Sequence, residues 1–339
     1  MDNNSHSKTV VVIGMTAEEI RELQQAAPPK LRLVAGLVTD PRPTSIAPDL
    51  PGTSGGYTTL MGQIAEADAL IGGPSREMIQ AGRKLRWVQI LSAAVRPYLY
   101  PELVNGNIVM TNAKGVASPG VADHGLAMLL ALTRKLTHFI GVRNLEKFER
   151  ARFGVLELKG MTAVIIAAGN IGLNVAQRLH GFEMNVIAVD PRDICATQWT
   201  PRVVPPDRLD EVLPLADVVF MCAPSTPETV GMMGARQFKL MKRGGYFIAL
   251  SRGSTYSMDA LIEALESGWL AAAGVDVTTP EPLPAGHRLW SFDNVIITYH
   301  CATESQMEMP RRLILVKENL IRFAAGRELL NVVDKQKGY

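Results

Sequence analysis

The fold is decided by the stretch Thr162–Asp190, TAVIIAAGNIGLNVAQRLHGFEMNVIAVD. Its first part, TAVIIAA, is a run of apolar and β-branched residues, which predicts a short buried strand. The glycine-containing turn Gly169–Gly172 follows, and the residues LNVAQRLHGF after it have the apolar spacing of a helix. The segment MNVIAVD predicts a second buried strand that ends at Asp190. A strand–helix–strand unit of this kind indicates a parallel sheet.

Apolar runs and amphipathic stretches alternate in the same way on both sides of this unit. Helices are predicted at Thr16–Ala27 and Ser75–Leu85, and the Pro-, Gly- and Ser-rich residues Asp40–Tyr57 predict a loop. The first series of predicted strands is TVVVIG, LRLVAGLV, DALIGG and RWVQIL. The second series is MTAVIIAA, MNVIAVD, DVVFMCA, YFIALS, AAGVDV and VIITYH.

Two long helical stretches separate and close these series, one starting near Pro119 and the other spanning about Met307–Arg327. We therefore predict an α/β protein of two doubly wound parallel-sheet domains, Rossmann-like or flavodoxin-like, with the second inserted into the first. The predicted boundaries are 1–117 with 305–339 for one domain and 118–304 for the other.

The composition excludes several classes of protein. The chain has 339 residues with 35 basic and 33 acidic side chains, and this balance argues against a strongly basic nucleic-acid binder. No run of 18 apolar residues occurs, so no membrane-spanning helix is predicted, and the polar start MDNNSHSKT does not resemble a secretory signal. Cys195, Cys222 and Cys301 are scattered, so neither a disulfide framework nor a metal site is expected, and a reducing cytoplasm is the expected compartment.

The turn in the deciding stretch has the context of a dinucleotide fingerprint, written here A-x-G-x-x-G. Gly169 would let the backbone approach a pyrophosphate, and Gly172 would let the helix pack closely on the strand. Asp190 lies where a carboxylate binds the adenosine ribose, which favours NAD over NADP. Arg192 could reduce that preference by reaching a 2′-phosphate, and Ala167 replaces the first glycine of the motif. The predicted cofactor turn comprises Gly169, Asn170, Ile171 and Gly172.

Three successive predicted strands end in polar residues, and the carboxyl ends of parallel strands meet at one edge of the sheet. Arg252 follows YFIALS, Glu281 follows AAGVDV, and His300 closes VIITYH. A guanidinium can bind a carboxylate through two parallel hydrogen bonds. A histidine can give a proton to a carbonyl oxygen while hydride arrives from a nicotinamide, and a neighbouring carboxylate favours its imidazolium form. The set predicts reduction of a 2-keto acid, or oxidation of the 2-hydroxy acid.

From about Val104 to Asp334 the chain resembles the D-isomer-specific 2-hydroxyacid dehydrogenase family. The resemblance rests on LKGMTAVIIAAGNIG, CAPSTPET, FKLMKRGGYFIALSRGS, LIEALESGWLAAAGVDVTTPEPLP, HRLWSFDNVIITYH and AGRELLNVVD, in that order. It implies an NAD-binding domain inserted into a substrate domain, and a homodimer formed through the NAD-binding domain. It also implies that Arg252, Glu281 and His300 are catalytic, with Arg252 binding substrate as well. Further cofactor contacts are expected at Val121, Cys222, Ala223, Pro224, Leu250, Ser251 and Asp276.

The chain departs from the family pattern on the substrate side. The loop Ala93–Arg96, AAVR, replaces a glycine and an acidic or polar residue, and Ala93, Ala94 and Val95 are its expected substrate contacts. Arg96 brings a positive charge near the cleft or faces solvent, the latter being favoured. Tyr299 stands where proline commonly precedes the histidine. His124 is interpreted as a surface or packing residue of its helix.

Two other functions remain open beside a dehydrogenase for a small 2-hydroxy acid. The family includes NAD-sensing corepressors, which act as non-catalytic partners of other proteins and keep similar active-site residues. It also includes dehydrogenases for other anions, such as formate or phosphite, whose additional residues are not recognisable here. A cysteine nucleophile at Cys301 is disfavoured, because no oxyanion arrangement or third partner is visible for it.

Overall fold

The computed structural model describes residues 7–36, 54–143 and 154–338. These divide into two compact units, the first comprising residues 1–116 and 306–339 and the second residues 117–305. The first unit contains β1 (Lys8–Val12), α1 (Ala17–Ala26), β2 (Leu31–Ala35), α2 (Ser54–Ala65), β3 (Ala69–Ile71), α3 (Arg76–Ala81), β4 (Trp87–Gln89), α4 (Pro101–Asn105) and β5 (Val109–Thr111).

The second unit begins with two helices and continues with alternating strands and helices. Its elements are α5 (Ser118–Thr133), α6 (Leu136–Arg143), β6 (Thr162–Ile166), α7 (Asn170–Gly181), β7 (Asn185–Val189), β8 (Arg202–Val204), α8 (Leu209–Val212), β9 (Val218–Met221), α9 (Ala235–Leu240), β10 (Gly245–Ala249), α10 (Met258–Glu266), β11 (Leu270–Val275) and β12 (Val295–Ile297). The chain then returns to the first unit as α11 (Glu308–Ala325).

The first sheet has the strand order β2-β1-β3-β4-β5, and every pair in it is parallel. Its strands are apolar on both faces because both faces are covered. Val10 and Val12 point into one core cluster with Val316 of α11, whereas Val11 points into another cluster with Leu60 of α2. The alternation follows from the two-residue period of a strand.

The second sheet has the order β12-β11-β10-β9-β6-β7-β8 and is also parallel throughout. Val164 and Ile166 of β6 pack on one side, and Ala163 and Ile165 pack on the other. The strand order reverses direction between β6 and β9, and a doubly wound sheet binds ligands at such a switch point. The prediction of two parallel α/β sheets is confirmed.

Three sequence expectations need correction. The predicted loop Asp40–Tyr57 is wrong at its end, because α2 begins at Ser54, while residues 40–53 lie outside the described residues. The single long helix from Pro119 is two helices, α5 and α6, because Lys135 adopts a left-handed backbone with φ 56°. The short strands β5 and β8 were not predicted.

The two ends of the second unit lie side by side. A Cβ built on Gly120, near the start of α5, would be 3.5 Å from the Cβ of Ser305, the last residue of that unit. Among the described residues, no helix combines the length and the apolar character that crossing a membrane requires.

Candidate active site

The turn between β6 and α7 is built on two unusual backbone positions. Ala167 has φ 74°, a left-handed conformation that costs an L-residue about 1–2 kcal/mol, and its amide donates to the Val189 carbonyl at 2.7 Å. A Cβ on Gly172 would lie 2.1 Å from the carbonyl oxygen of Ala167. Glycine at 172 is therefore required by the close approach of the helix to the turn. By contrast, a Cβ on Gly169 would meet no atom within 4 Å, so this side of the turn is open.

The remaining residues of this predicted cofactor turn lie at the start of the helix. Asn170 is exposed and is the first residue of α7, and Ile171 is half-buried and packs on the core. The first amides of α7 and the positive end of its dipole are suited to binding an anion. The structure thus brings the predicted turn to the switch point of the sheet.

Asp190 directly follows β7 and is almost fully buried. Its Oδ2 accepts a hydrogen bond from the Ala168 amide at 2.9 Å, and its Oδ1 accepts from Arg192 Nε at 2.8 Å. Arg192 Nη2 donates to Asp190 Oδ2 at 2.9 Å, so the arginine engages both carboxylate oxygens. Burial opposes the charge of Asp190, but the hydrogen bonds and charge of Arg192 outweigh it and lower the pKa of the carboxyl. Asp190 and Arg192 therefore act as one bidentate pair.

Several predicted cofactor residues have side chains that belong to the core. Val121, Cys222 and Leu250 are buried in one apolar cluster, and Ala223 is buried in the other. Burial raises the pKa of the Cys222 thiol to about 12. Only the backbone of these residues can face a ligand, and among the predicted residues of this segment only Pro224 is exposed.

The ends of β9 and β10 are joined by side chain–backbone bonding. The Ser251 hydroxyl donates to the Ala223 carbonyl, which ties the segment before Arg252 to the switch point. Arg252 is half-buried with extended backbone, and its Nη1 donates to the Ser251 carbonyl at 2.6 Å. A Cβ on Gly253 would lie 2.0 Å from the Thr278 carbonyl oxygen, so the turn after Arg252 packs directly on the segment that follows β11.

His300 and Glu281 form a hydrogen-bonded pair at the carboxyl edge of the same sheet. His300 Nδ1 lies 2.6 Å from Glu281 Oε1, and both side chains remain partly exposed. His300 has φ 57°, a left-handed backbone that is uncommon for a residue with a side chain. Its amide donates to the Asp276 carbonyl at 2.8 Å. The predicted histidine–carboxylate pair is thus present.

The buried carboxylate of Asp276 holds the loop that carries His300. Oδ1 accepts from the Cys301 amide at 2.9 Å and from Thr298 Oγ1 at 2.7 Å, and Oδ2 accepts from the Ala302 amide at 3.2 Å. Three successive amides, those of residues 300 to 302, therefore donate to Asp276. The sequence assigned Asp276 to cofactor contact alone and gave no sign of these bonds.

His124 makes contacts that the sequence did not indicate. Its Nε2 lies 3.0 Å from Thr298 Oγ1 and 3.7 Å from Asp276 Oδ1. One ligand atom each of His124, Asp276 and Cys301 lie within 4.8 Å of one another. Hydrogen bonding already accounts for this group, because the Asp276 oxygens accept three hydrogen bonds. No sequence motif marks it, since α5 and β12 are far apart in the chain.

The predicted substrate loop belongs to the first unit. Val95 is buried in the core below β4, whereas Ala93 and Arg96 are exposed and Ala94 is half-buried. The loop is held by Asn112, whose Nδ2 donates to the Ala93 carbonyl at 3.0 Å. In residues 54–143, the amides of Ala93, Ala94 and Val95 donate to no protein acceptor.

Comparison with known proteins agrees with this arrangement. Residues 126–302 match the family model described as "D-isomer specific 2-hydroxyacid dehydrogenase, NAD binding domain". The chain is 32% identical to D-3-phosphoglycerate dehydrogenase of Archaeoglobus fulgidus over 76% of its length, and the match spans 49% of that relative, about half. It is 31% identical to glyoxylate reductase of Pyrococcus furiosus, over 82% of this chain and 85% of that one.

A solved structure is also similar to this chain. A D-isomer specific 2-hydroxyacid dehydrogenase family protein from Aeromonas salmonicida is 26% identical, with a TM-score of 0.78. The alignment covers 97% of this chain and 99% of that one, so both units are included. This chain belongs to the D-isomer specific 2-hydroxyacid dehydrogenase family, and its second unit contains the NAD-binding domain of that family.

Proposed function

We propose that this chain is an NAD-dependent oxidoreductase that interconverts a small 2-keto acid and the matching D-2-hydroxy acid. The observation that carries the proposal is the pair of His300 Nδ1 and Glu281 Oε1, 2.6 Å apart at the carboxyl edge of the second sheet. Arg252 follows β10, the strand next to β11, on the same edge. An acid–base group and a carboxylate-binding guanidinium at one edge fit an anionic carbonyl substrate.

Each of the three side chains has a definite part in this reaction. Arg252 binds the substrate carboxylate and polarises the adjacent carbonyl. His300 gives the proton on Nε2 to the carbonyl oxygen during reduction and takes it back during oxidation. Glu281 accepts a hydrogen bond from Nδ1, which fixes the orientation of the ring and the position of the proton on it.

The turn from Gly169 to Gly172 fits a dinucleotide, because its open side faces the start of α7 and no protein atom fills the space beside Gly169. When bound, the nicotinamide supplies or accepts the hydride. We therefore assign Gly169, Asn170, Ile171, Gly172 and Asp190 to NAD binding, with the backbone of Val121, Cys222, Ala223, Pro224, Leu250 and Ser251 as further contacts.

The Asp190–Arg192 pair supports a modest preference for NAD over NADP. Asp190 can accept hydrogen bonds from ribose hydroxyls, but Arg192 already occupies both of its oxygens and offsets its charge. We expect NADH to be favoured over NADPH by about tenfold in kcat/KM, which corresponds to about 1.4 kcal/mol. Asp190→Ala should lower this ratio, and Arg192→Ala should raise it.

The first unit supplies the substrate loop in this proposal. We assign the amides of Ala93, Ala94 and Val95 to substrate binding, and the buried Val95 side chain anchors the loop. The boundaries predicted above, 1–117 with 305–339 and 118–304, then separate a substrate domain from an NAD-binding domain.

The test is NADH oxidation by the purified protein with a panel of small 2-keto acids, including glyoxylate and hydroxypyruvate. Arg252→Ala and His300→Asn should each lower kcat/KM by at least about a hundredfold. The matched control is Arg243→Ala, which removes an exposed arginine just before β10. If NADH binds but no acid is turned over, the chain is better described as an NAD-sensing partner protein.

We also propose a homodimer formed through the second unit. Leu136 and Ile140 of α6 are large apolar side chains that remain exposed, with Ile140 62% accessible. Exposed apolar residues on one helix are typical of an interface. Sedimentation velocity should give a dimer for the wild-type chain and a monomer for Ile140→Glu, and a monomeric wild type would exclude this pairing.

A further inference from the structure

A chain of hydrogen bonds runs from α5 to the loop that carries His300. It begins at His124 Nε2, passes through Thr298 Oγ1 at 3.0 Å, and reaches Asp276 Oδ1 at 2.7 Å. Asp276 then accepts hydrogen bonds from the amides of Cys301 and Ala302, and its carbonyl accepts from the amide of His300. All of these residues lie in the second unit.

The direction of each bond follows from the donors available. An ionised carboxylate only accepts, so the Thr298 hydroxyl must donate its single proton to Asp276. Thr298 Oγ1 can then only accept from the next neighbour, so His124 Nε2 must carry a proton. The arrangement therefore requires an Nε2–H donor at position 124.

The loop beyond Asp276 needs such support. His300 has φ 57°, a backbone conformation that a residue with a side chain adopts only where neighbouring contacts hold it. Here the contacts are the three successive amides that donate to Asp276. A rotation of the Asp276 carboxylate would break at least two of them and would change the direction in which the His300 ring points.

We propose that His124 is a positioning residue for the acid–base step, acting through Thr298 and Asp276 on the orientation of His300. The proposal rests on the proposed function of His300 as the proton donor. A packing role alone does not account for the geometry, because His124 keeps a directed 3.0 Å contact to a hydroxyl while its side chain remains partly exposed.

A bound metal explains the group less well. The three potential ligand atoms lie close together, but both Asp276 oxygens are already hydrogen-bond acceptors, and Oδ1 accepts two bonds. Binding of a cation would have to displace the bond from Thr298. The chain of hydrogen bonds accounts for the contacts of His124 and Asp276 without displacing that bond.

Two variants of His124 separate the donor from the bulk of the ring. His124→Gln keeps an N–H donor near the position of Nε2, whereas His124→Leu keeps apolar volume and removes the donor. We expect kcat for NADH-dependent keto-acid reduction to fall tenfold to a hundredfold in His124→Leu and about threefold or less in His124→Gln. KM should change little, because the substrate-binding Arg252 does not take part in this chain of hydrogen bonds. Thr298→Val should match His124→Leu, and the double variant should be no worse than either single one.

The matched control is His180→Leu, which replaces an exposed histidine in the last turn of α7 and should leave kcat unchanged. Equal losses of kcat in His124→Gln and His124→Leu would overturn the proposal, as would an unchanged kcat in His124→Leu. A wild-type chain that turns over no keto acid, with Arg252→Ala and His300→Asn equally inactive, would instead remove the proposed function.

A measurement that does not depend on turnover keeps the two outcomes apart. Long-range ¹H–¹⁵N spectra of the histidine rings should show His124 as the Nε2–H tautomer. The His300 ring signals should shift in Thr298→Val and stay in place in His180→Leu. A neutral His124 ring protonated on Nδ1 would refute the hydrogen-bond chain whatever the activity.

Discussion

Replacing Gly172 by alanine tests the turn between β6 and α7 most directly. The added Cβ would lie 2.1 Å from the carbonyl oxygen of Ala167 and 3.0 Å from Cγ2 of Ile165. Side-chain Cβ atoms essentially never come within 3.0 Å of another heavy atom, so the helix start or the turn must move by about 1 Å. The obstructing oxygen belongs to the backbone of a left-handed residue, which has little freedom to move.

The expected cost follows from two opposing effects. Overpacking of this kind costs about 1–3 kcal/mol, and the better helix propensity of alanine returns at most about 1 kcal/mol. Because the obstructing atom belongs to the backbone, the cost falls at the upper end of that range, and we expect a net loss of about 2 kcal/mol. For a unit of the size of residues 117–305, that loss lowers the melting temperature by about 4–8 °C.

The matched control is Gly181→Ala, at the other end of the same helix, where an added Cβ meets no atom within 4 Å. Calorimetry should find this variant unchanged or slightly stabilised, because it gains helix propensity without a clash. In a fluorescence titration, NADH should bind Gly172→Ala at least about tenfold more weakly than the control, because the first amides of α7 shift. If the two variants melt within about 1 °C of each other and bind NADH equally, the close approach at Gly172 does not exist.

Three further predictions concern charge and burial. The pKa of Asp190 is lowered because the hydrogen bonds from Arg192 outweigh its burial, so the ionised carboxylate stabilises the fold fully at neutral pH and this contribution is lost below about pH 3.9. In urea unfolding, the difference in free energy of unfolding between wild type and Asp190→Asn should therefore shrink as the pH falls. Burial raises the pKa of the Cys222 thiol to about 12, so iodoacetamide at pH 8 should label the exposed Cys195 and reach Cys222 only after unfolding. Lys335 Nζ donates to three backbone carbonyls, one in α4 and two just after it, so Lys335→Met should lower the free energy of unfolding by about 1–3 kcal/mol. Lys337→Met, at an exposed ion pair, should change it by under about 0.5 kcal/mol.

Most of the strands that the sequence predicted, such as β6 and β9, are buried on both faces. In β6, for example, TAVII is almost entirely apolar because helices cover both sides of the sheet. The two strands that it missed, β5 and β8, each have three residues and lie at an edge of their sheet, and each has an exposed residue at its start. Three residues of which one is exposed are too few to produce a pattern distinguishable from a loop.

The helix break at Lys135 escaped prediction for a related reason. Neither glycine nor proline marks the position, although its backbone is left-handed with φ 56°. The local sequence therefore gives no indication of this backbone conformation.

The residues of the site likewise fall into those that local sequence patterns indicated and those that they did not. The sequence pointed to Arg252, Glu281 and His300 because each lies within six residues of the end of an apolar strand. The hydrogen bonds of Asp276 and His124 could not be predicted, because they depend on where the fold places residues 298–302. Thr298, for example, lies 174 residues after His124 in the chain. Short-range patterns identify which residues are present at an edge, and only tertiary structure shows which of them hold the others.

The neighbouring ends of the second unit have an evolutionary consequence. Because Gly120 and Ser305 are neighbours, a gene segment encoding residues 117–305 could be inserted into a loop of an ancestral domain by a single recombination event without separating the two sides of that loop. The same closeness would allow such a cassette to be exchanged between hosts. A common nucleotide-binding module could in this way be combined with different partners, each presenting its own surface to the substrate.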